Sequence, residues 1–273
     1  MEIGKRDHGA PLWQLLDTTD VRDLRLQPAE LDAGSEWLAG KGREKVYGPM
    51  DFTTNDEIGI QISGFDVRPS ILENCHQPYF QGLVEGAGFS KAMDLLMWHL
   101  EMGKLAKGLE FHPAIMESAQ ASLDEHGITI RSMRRNDLAN EMARFHEVYN
   151  EAWGDNWGFV PITDSEVAFT GKKLKPIVFE DLIMVAELDG EPVAFMMTLP
   201  DLNEAQAPLN GNLFPFGWAK LLWWLRKPKV KTMRVPLMGV VKRLQSTRMA
   251  SQLAFMMIDM IRRASVARYG ASR

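Results

Sequence analysis

The sequence predicts an α/β (α+β) protein, and three observations carry that prediction. From residue 128 onward, apolar alternation and helical stripes follow one another as strand, helix, helix, hairpin, insertion, strand and helix. Asp189-Gly190 separates two apolar runs, a strong signal for a two-residue hairpin turn. Residues 233–261, "MRVPLMGVVKRLQSTRMASQLAFMMIDMI", pass from a β-like run through a basic turn into an apolar, helix-like run.

The elements follow in order. Residues 31–40 place Leu31, Trp37 and Leu38 near one helical face and stop at Gly40-Lys41-Gly42. "REKVYGPM" (43–50) reads as a short strand. Residues 51–77, rich in Asn, Asp, Gly and Pro, read as a long loop. Pro78 opens a helix that ends at Gly86 and Gly88, and 92–100 is an extended apolar run. Residues 113–126 form a polar amphipathic helix, stopped by Gly127, that reads as a connector.

"ITIRSM" (128–133) alternates as a strand. Asn136 or Asp137 caps a helix running to about Trp153, with Leu138, Met142, Phe145, Val148 and Tyr149 on its apolar stripe. Gly154, Gly158 and Pro161 break it, and 164–173 is a second helix. The hairpin spans 181–201, with Glu187 expected to face solvent, and 198–215 reads as a long loop. "GWAKLLWWLRK" (217–227) is a short apolar helix, and 231–241 a strand. Pro236 lies inside that strand and cannot donate a ladder hydrogen bond, which predicts an edge or a bulge.

Composition narrows the function classes. A chain of 273 residues that is 45% hydrophobic supports one large domain or two small ones. The apolar runs at 177–185 and 214–225 end short of the roughly 20 residues that span a bilayer, so no transmembrane segment is expected. The charged start "MEIGKRDHGAPLWQLL" lacks a secretory pattern, and a cytoplasmic location is expected. The single Cys75, beside His76, has no partners at metal-ligand spacing, so no metal site is expected.

Charge is distributed unevenly. The net charge is −5, yet 205–258 contains no Asp or Glu and holds nine of the 31 basic residues. A local positive field of this kind suits an anionic ligand, an anionic membrane surface or simply a solvated face. Nucleic acid is not expected, because the basic residues are interleaved with core-like apolar ones and no groove-binding motif accompanies them. "FGWAKLLWWLRKPKVK" has the composition of a short interfacial helix with a basic tail. It predicts peripheral membrane contact through 214–231, the wall of a pocket for a long acyl group, or a helix packed on the sheet.

The strand, its proline, the basic turn and the following helix together resemble the GNAT acetyltransferase superfamily. Its six-residue turn pattern aligns with Gln245, Ser246, Thr247, Arg248, Met249 and Ala250. The first and last positions fit, while Arg248 stands where the family has a glycine. "QPYFQGLVEGAGFSKAMDLLMW" is a second echo, with Gly88-Phe89 at the family's helix-to-strand turn. The order of the echoes implies the second half of one GNAT-like unit over about 1–105, a connecting helix at 106–127, and the first part of another at 128–273. It also implies a GNAT-like mixed, twisted sheet flanked by helices, two partial units packed together and contributing to one sheet, and a chain that is part of a longer one, lacking residues before about 17 and after 273.

What the resemblance implies for chemistry is acyl transfer from acetyl-CoA, or another acyl-CoA, to a small-molecule amine. Met238, Gly239 and Val240 would line the thioester arm, or are an ordinary core strand. Lys242, Arg243 and the turn at 245–250 would hold the phosphates; either the Arg248 guanidinium replaces lost amide contacts or the site is weakened. The position of the family's general-acid tyrosine is Val84 here, and Tyr79, one and a half turns earlier, is the candidate acid or a packing residue beside Pro78. Asp155, between Trp153 and Trp157, is the candidate for holding or deprotonating the amine, unless the tryptophans only anchor the loop. Asn55, Asp56 and Glu57 could assist proton transfer or cap a turn. The alternative function is a non-catalytic GNAT-like module that binds CoA, lipid or a protein partner.

Overall fold

The computed structural model describes residues 27–50, 53–99, 113–226 and 231–251, together with Leu253 and Met256. The chain divides into two compact units, 1–98 with 158–160, and 99–157 with 161–273.

In the first unit, α1 (Gln27–Gly40) ends where Gly42 takes a φ of 72°, and α2 (Tyr79–Gly86) ends before Gly88, whose φ is 85°. These are the two glycine stops read from the sequence, and both need the left-handed backbone that glycine adopts without a steric cost. The expected strand at 43–50 is absent: Met50 and Ile58 form an isolated bridge and nothing more. Residues 92–99 likewise carry no regular secondary structure. A segment becomes a strand only when a neighbour completes its hydrogen-bond ladder, and among the described residues neither segment has one. The expectation that this part of the chain adds strands to a common sheet is therefore not met by its described residues.

Side chains organise the long loop instead. Asn74 Nδ2 donates to the carbonyls of Ile58 and Gly59, each at 2.9 Å. The amide of Gln61 donates to His76 Nδ1, and the amide of His76 donates back to Gln61 Oε1. Thr54 and Asn55 donate to the carbonyls of Gly158 and Val160, and Thr53 and Asp56 close a local turn. Asn55 and Asp56 thus take part in the turn around Thr53, the capping alternative for these two residues.

The second unit is built on an antiparallel sheet in the order β1 (Thr129–Ser132), β2 (Ile183–Leu188), β3 (Glu191–Pro200) and β4 (Met233–Val240). The hairpin turns at Asp189 and Gly190, both with positive φ, as its Asp-Gly signal requires. Between the pairs Met197↔Leu237 and Leu199↔Arg234 lies one residue on β3, Thr198, and two on β4, Val235 and Pro236. The proline therefore sits in a β-bulge on an edge strand of the described sheet, where its missing N–H interrupts no ladder.

The helices of this unit are α3 (Pro113–His126), α4 (Leu138–Trp153), α5 (Asp164–Leu174), α6 (Leu202–Gln206), α7 (Gly217–Arg226) and α8 (Lys242–Gln245). The expected loop at 198–215 holds the end of β3 and α6, which Asp201 caps by accepting from the Asn203 amide at 3.1 Å. Thr163 and Glu166 form a capping box at the start of α5. α3, read as a connector, belongs to this unit and packs against the turn at 248–251, burying Ala119 completely.

The core lies between α4 and the sheet. Phe145, Tyr149 and Trp153 recur every four residues and stack along one face of α4, with centroids 5.7 and 5.4 Å apart. Phe145 meets Phe195 of β3 edge-on at 4.7 Å. The helix also buries Glu141, which takes Arg131 of β1 at 3.0 Å and Arg144 at 2.9 Å. Arg131 reaches Glu187 of β2 at 2.6 Å. Glu187 therefore does not face solvent. Burial pulls the Arg131 guanidinium down, but its hydrogen bonds to Glu187 and Glu141 and their charges outweigh that, and it stays raised.

At Gly239 the helix lies close against the sheet. A Cβ there would lie 2.9 Å from Ala152 Cβ, 3.2 Å from Trp153 Nε1 and 3.4 Å from Phe195 Cε1. Gly239→Ala is expected to cost about 1–3 kcal/mol, the range for overpacking a core. Combining it with Ala152→Gly is expected to recover part of that loss, measured by chemical denaturation as a double-mutant cycle.

Candidate functional site

The arrangement with most chemical potential is the end of β4 and the corner after it. Gly239 pairs with Phe195, and the amide of Val241 donates to Val193 at 2.9 Å, so both face β3. Met238 and Val240, the alternate residues, then point their N–H and C=O groups away from β3, along the outer edge. Two side chains already meet that edge. Trp153 Nε1 donates to the Met238 carbonyl at 3.2 Å, and Gln245 Nε2 donates to the Val240 carbonyl at 2.9 Å.

Gln245 has a second task. Its Nε2 also donates to the carbonyl of Ala152 at 2.9 Å. That carbonyl is one of the last four of α4, which have no partner within the helix. One side chain thus ties the helix end to the strand end, and Gln245 fits the corner for a reason the sequence pattern does not express.

The remaining predicted residues gather around this clamp. Val240, Val241 and Leu244 are buried, whereas Met238, Lys242, Arg243, Ser246 and Thr247 are exposed. The strand does not feed a long helix directly. It passes into α8, of four residues, and then into the tight turn at Arg248–Ser251. Within it the amide of Thr247 donates to Leu244 O and that of Ala250 to Thr247 O. Met249 follows Arg248 in that turn.

Asp155 comes to the same place. Its carboxylate pairs with Lys242 Nζ at 2.6 Å, both groups being largely exposed. Two residues proposed for different tasks, one for the phosphate and one for the amine, are thus each other's partners. Such exposed pairs contribute on the order of 0–1 kcal/mol, so a ligand charge can separate them at little cost. The loop that presents Asp155 is fastened at its far end, where Asn150 and the Ile162 backbone exchange two hydrogen bonds and His146 Nε2 lies 2.7 Å from Ile162 O. This fastening had no legible signal in the sequence, because the partners are a polar helix face and a backbone.

Tyr79 lies in the first unit, at the start of α2, half-buried and stacked on Phe80 at 5.0 Å. Cys75 is exposed there, and His76 packs on Phe80 at 5.1 Å. Burial pushes the His76 imidazole below its ordinary value, with Glu57 opposing. Among the described residues no three His, Cys, Asp or Glu side chains converge as a metal site, and no helix is long and apolar enough to cross a membrane.

No family model matches the chain. Over 248 residues it is 39% identical to Protein YghO of Escherichia coli (strain K12), an alignment covering 91% of this chain and 62% of that protein. Over 228 residues it is 37% identical to the bacterial ceramide synthase of Caulobacter vibrioides (strain NA1000 / CB15N), covering 83% of this chain and 57% of that protein. The chain therefore spans about three fifths of the length of the curated relatives it matches.

Gln245→Ala is expected to destabilise the second unit by about 1 kcal/mol and to speed amide exchange in the last turn of α4. Gln245→Glu should cost more, since a carboxylate cannot donate to either carbonyl. A second expectation concerns pH. The His76 imidazole binds its proton less readily folded than unfolded, so its contribution is present above the unfolded value of about 6.5 and is lost as pH falls below it. His76→Asn keeps an acceptor for the Gln61 amide, and the variant's exchange protection in the first unit should vary less between neutral and mildly acidic pH.

Proposed function

We propose that the second unit carries an acyl-CoA-dependent N-acyltransferase site that forms an amide at the amino group of a long-chain acceptor. The observation behind this reading is the bulged edge strand β4, whose outward Met238 and Val240 amides run into a corner bearing Lys242 and Arg243. An extended thioester arm with its own amide groups suits donors spaced along such an edge. The cations suit its phosphates. The strand, two-helix, hairpin, strand order also agrees with the GNAT resemblance. Similarity to a protein named bacterial ceramide synthase supports amide formation, because a ceramide is an amide of a long-chain base.

The chemistry requires the acceptor nitrogen, stripped of a proton, to attack the thioester carbonyl. A C–N bond forms, the C–S bond breaks, and the departing thiolate takes up a proton. Backbone N–H groups of β4 would stabilise the charge that develops on the carbonyl oxygen. In this reading the ligand's phosphates draw Lys242 away from Asp155, leaving the carboxylate to hold the ammonium and accept its proton. Tyr79 lies in the other unit, and the second unit alone supplies these groups. Acetyl-CoA is the short end of the donor range, and the ceramide synthase relative favours a fatty acyl chain.

One observation favours a second reading, a non-catalytic module that binds CoA or lipid. The Met238 and Val240 carbonyls are already engaged by Trp153 and Gln245, which leaves a ligand arm only the donor half of a ladder.

Thiol release and amide product are to be measured with acyl-CoA donors from acetyl to palmitoyl against a panel of long-chain amines. Turnover is expected with fatty acyl donors, lowered at least tenfold by Asp155→Asn at unchanged donor affinity. If the Arg248 guanidinium replaces the amide contacts of the family's glycine, Arg248→Gly is expected to weaken donor binding about tenfold; tighter binding would show that the arginine impairs the site. CoA binding without turnover would select the module, absence of CoA binding would remove the acyltransferase reading, and absence of binding to both CoA and lipid vesicles would remove the module as well.

A further inference from the structure

A face outside this site is built in an unusual way for a protein of net charge −5. α7 and the turn before it expose large apolar side chains: Phe214 is 82% exposed, Trp223 77% and Phe216 70%, and Trp218 and Leu222 are about half exposed. A helix packed on the sheet through its aromatic residues would hide them. The helix period places Trp218, Leu222 and Arg226 in one row with Trp223 beside it, while Leu221, Trp224 and Leu225 are half-buried on the other side.

The backbone presenting these residues is tightly hydrogen-bonded. Trp218 donates through its amide to Leu213 O and through Nε1 to Pro215 O, both at 2.9 Å, and the Lys220 amide donates to Phe216 O at 3.2 Å. A Cβ at Gly217 would collide with the Asn212 carbonyl, so the turn depends on glycine there. Exposed Lys220 and Arg226 flank the apolar side chains, and no Asp or Glu occurs anywhere in 205–258.

We propose that 213–226 is a docking surface for an anionic lipid bilayer. Phe214, Phe216, Trp218, Leu222 and Trp223 enter the headgroup and upper acyl region, and Lys220 and Arg226 meet lipid phosphates. The charge pattern identifies the occupant. An acidic protein is repelled by an anionic surface as a whole, but screening over about 8 Å at physiological salt favours the nearest charges, and those carried by 213–226 itself, Lys220 and Arg226, are positive. Amphipathic tryptophans suit the same boundary, with an apolar ring and an N–H at its edge. The surface is made of its own residues and stands whether or not the second unit transfers an acyl group.

The whole chain is to be sedimented with vesicles of phosphatidylcholine alone and of phosphatidylcholine containing phosphatidylglycerol. Binding is expected to the anionic vesicles, weakened about tenfold or more by Phe214→Ser/Trp223→Ser and by Lys220→Glu/Arg226→Glu. Brominated acyl chains are expected to quench tryptophan emission, and Trp223→Phe to remove much of that quenching. All four double-variant positions are exposed, and unchanged circular dichroism will verify their folding. No binding to anionic vesicles, or binding that survives both double variants, overturns the proposal.

Discussion

The second unit depends on how closely α4 lies against β3 and β4. Three aromatic side chains on one helical row bring the helix down onto Phe195, and its last turn arrives where β4 has glycine. Stacked aromatic pairs contribute about 0.5–1.5 kcal/mol each beyond the area they bury, so the row as a whole outweighs any single surface contact. Because Gly239 has no side chain, Trp153 can reach the Met238 carbonyl and Gln245 the Ala152 carbonyl. The edge of β4, the corner after it and the loop carrying Asp155 are all positioned by that approach.

Two ionic arrangements attached to α4 act in opposite ways. Arg131, Glu141 and Glu187 are buried or nearly so, and join helix, β1 and β2. Removing one partner of such a group leaves a buried charge and costs about 3–5 kcal/mol. Lys242 and Asp155 are largely exposed, at the opposite end of the helix from Glu141, and their pairing is cheap to break. The unit therefore holds its charges rigidly at one end and loosely at the end where an anionic ligand would arrive.

An acyl-transfer site on β4 and a bilayer-docking face on α7 would serve the same kind of chemistry, since long-chain acceptors reside in membranes. Relatives named YghO and bacterial ceramide synthase cover most of this chain while extending beyond the part it matches. The two proposals draw on separate residues: backbone amides, Lys242 and Asp155 for one, aromatic side chains with Lys220 and Arg226 for the other.

Much of the second unit was legible because its signals are local. Hydrophobic period located β1 to β4 and the long helices, Asp189-Gly190 specified its own turn, and Pro236 demanded a bulge because it cannot donate a ladder bond. The first unit was read less well for a related reason. The segment at 43–50 reads as a strand and 92–99 as an apolar run, but strand formation depends on a neighbour, which no local pattern supplies. Tertiary structure alone decided that Glu187 turns inward to Arg131, that Asp155 meets Lys242, and that Gln245 clamps two carbonyls. Glu187–Arg131, Asp155–Lys242 and Gln245–Ala152 join residues far apart in sequence, where side-chain type states what can bond and only the packed backbone states with what.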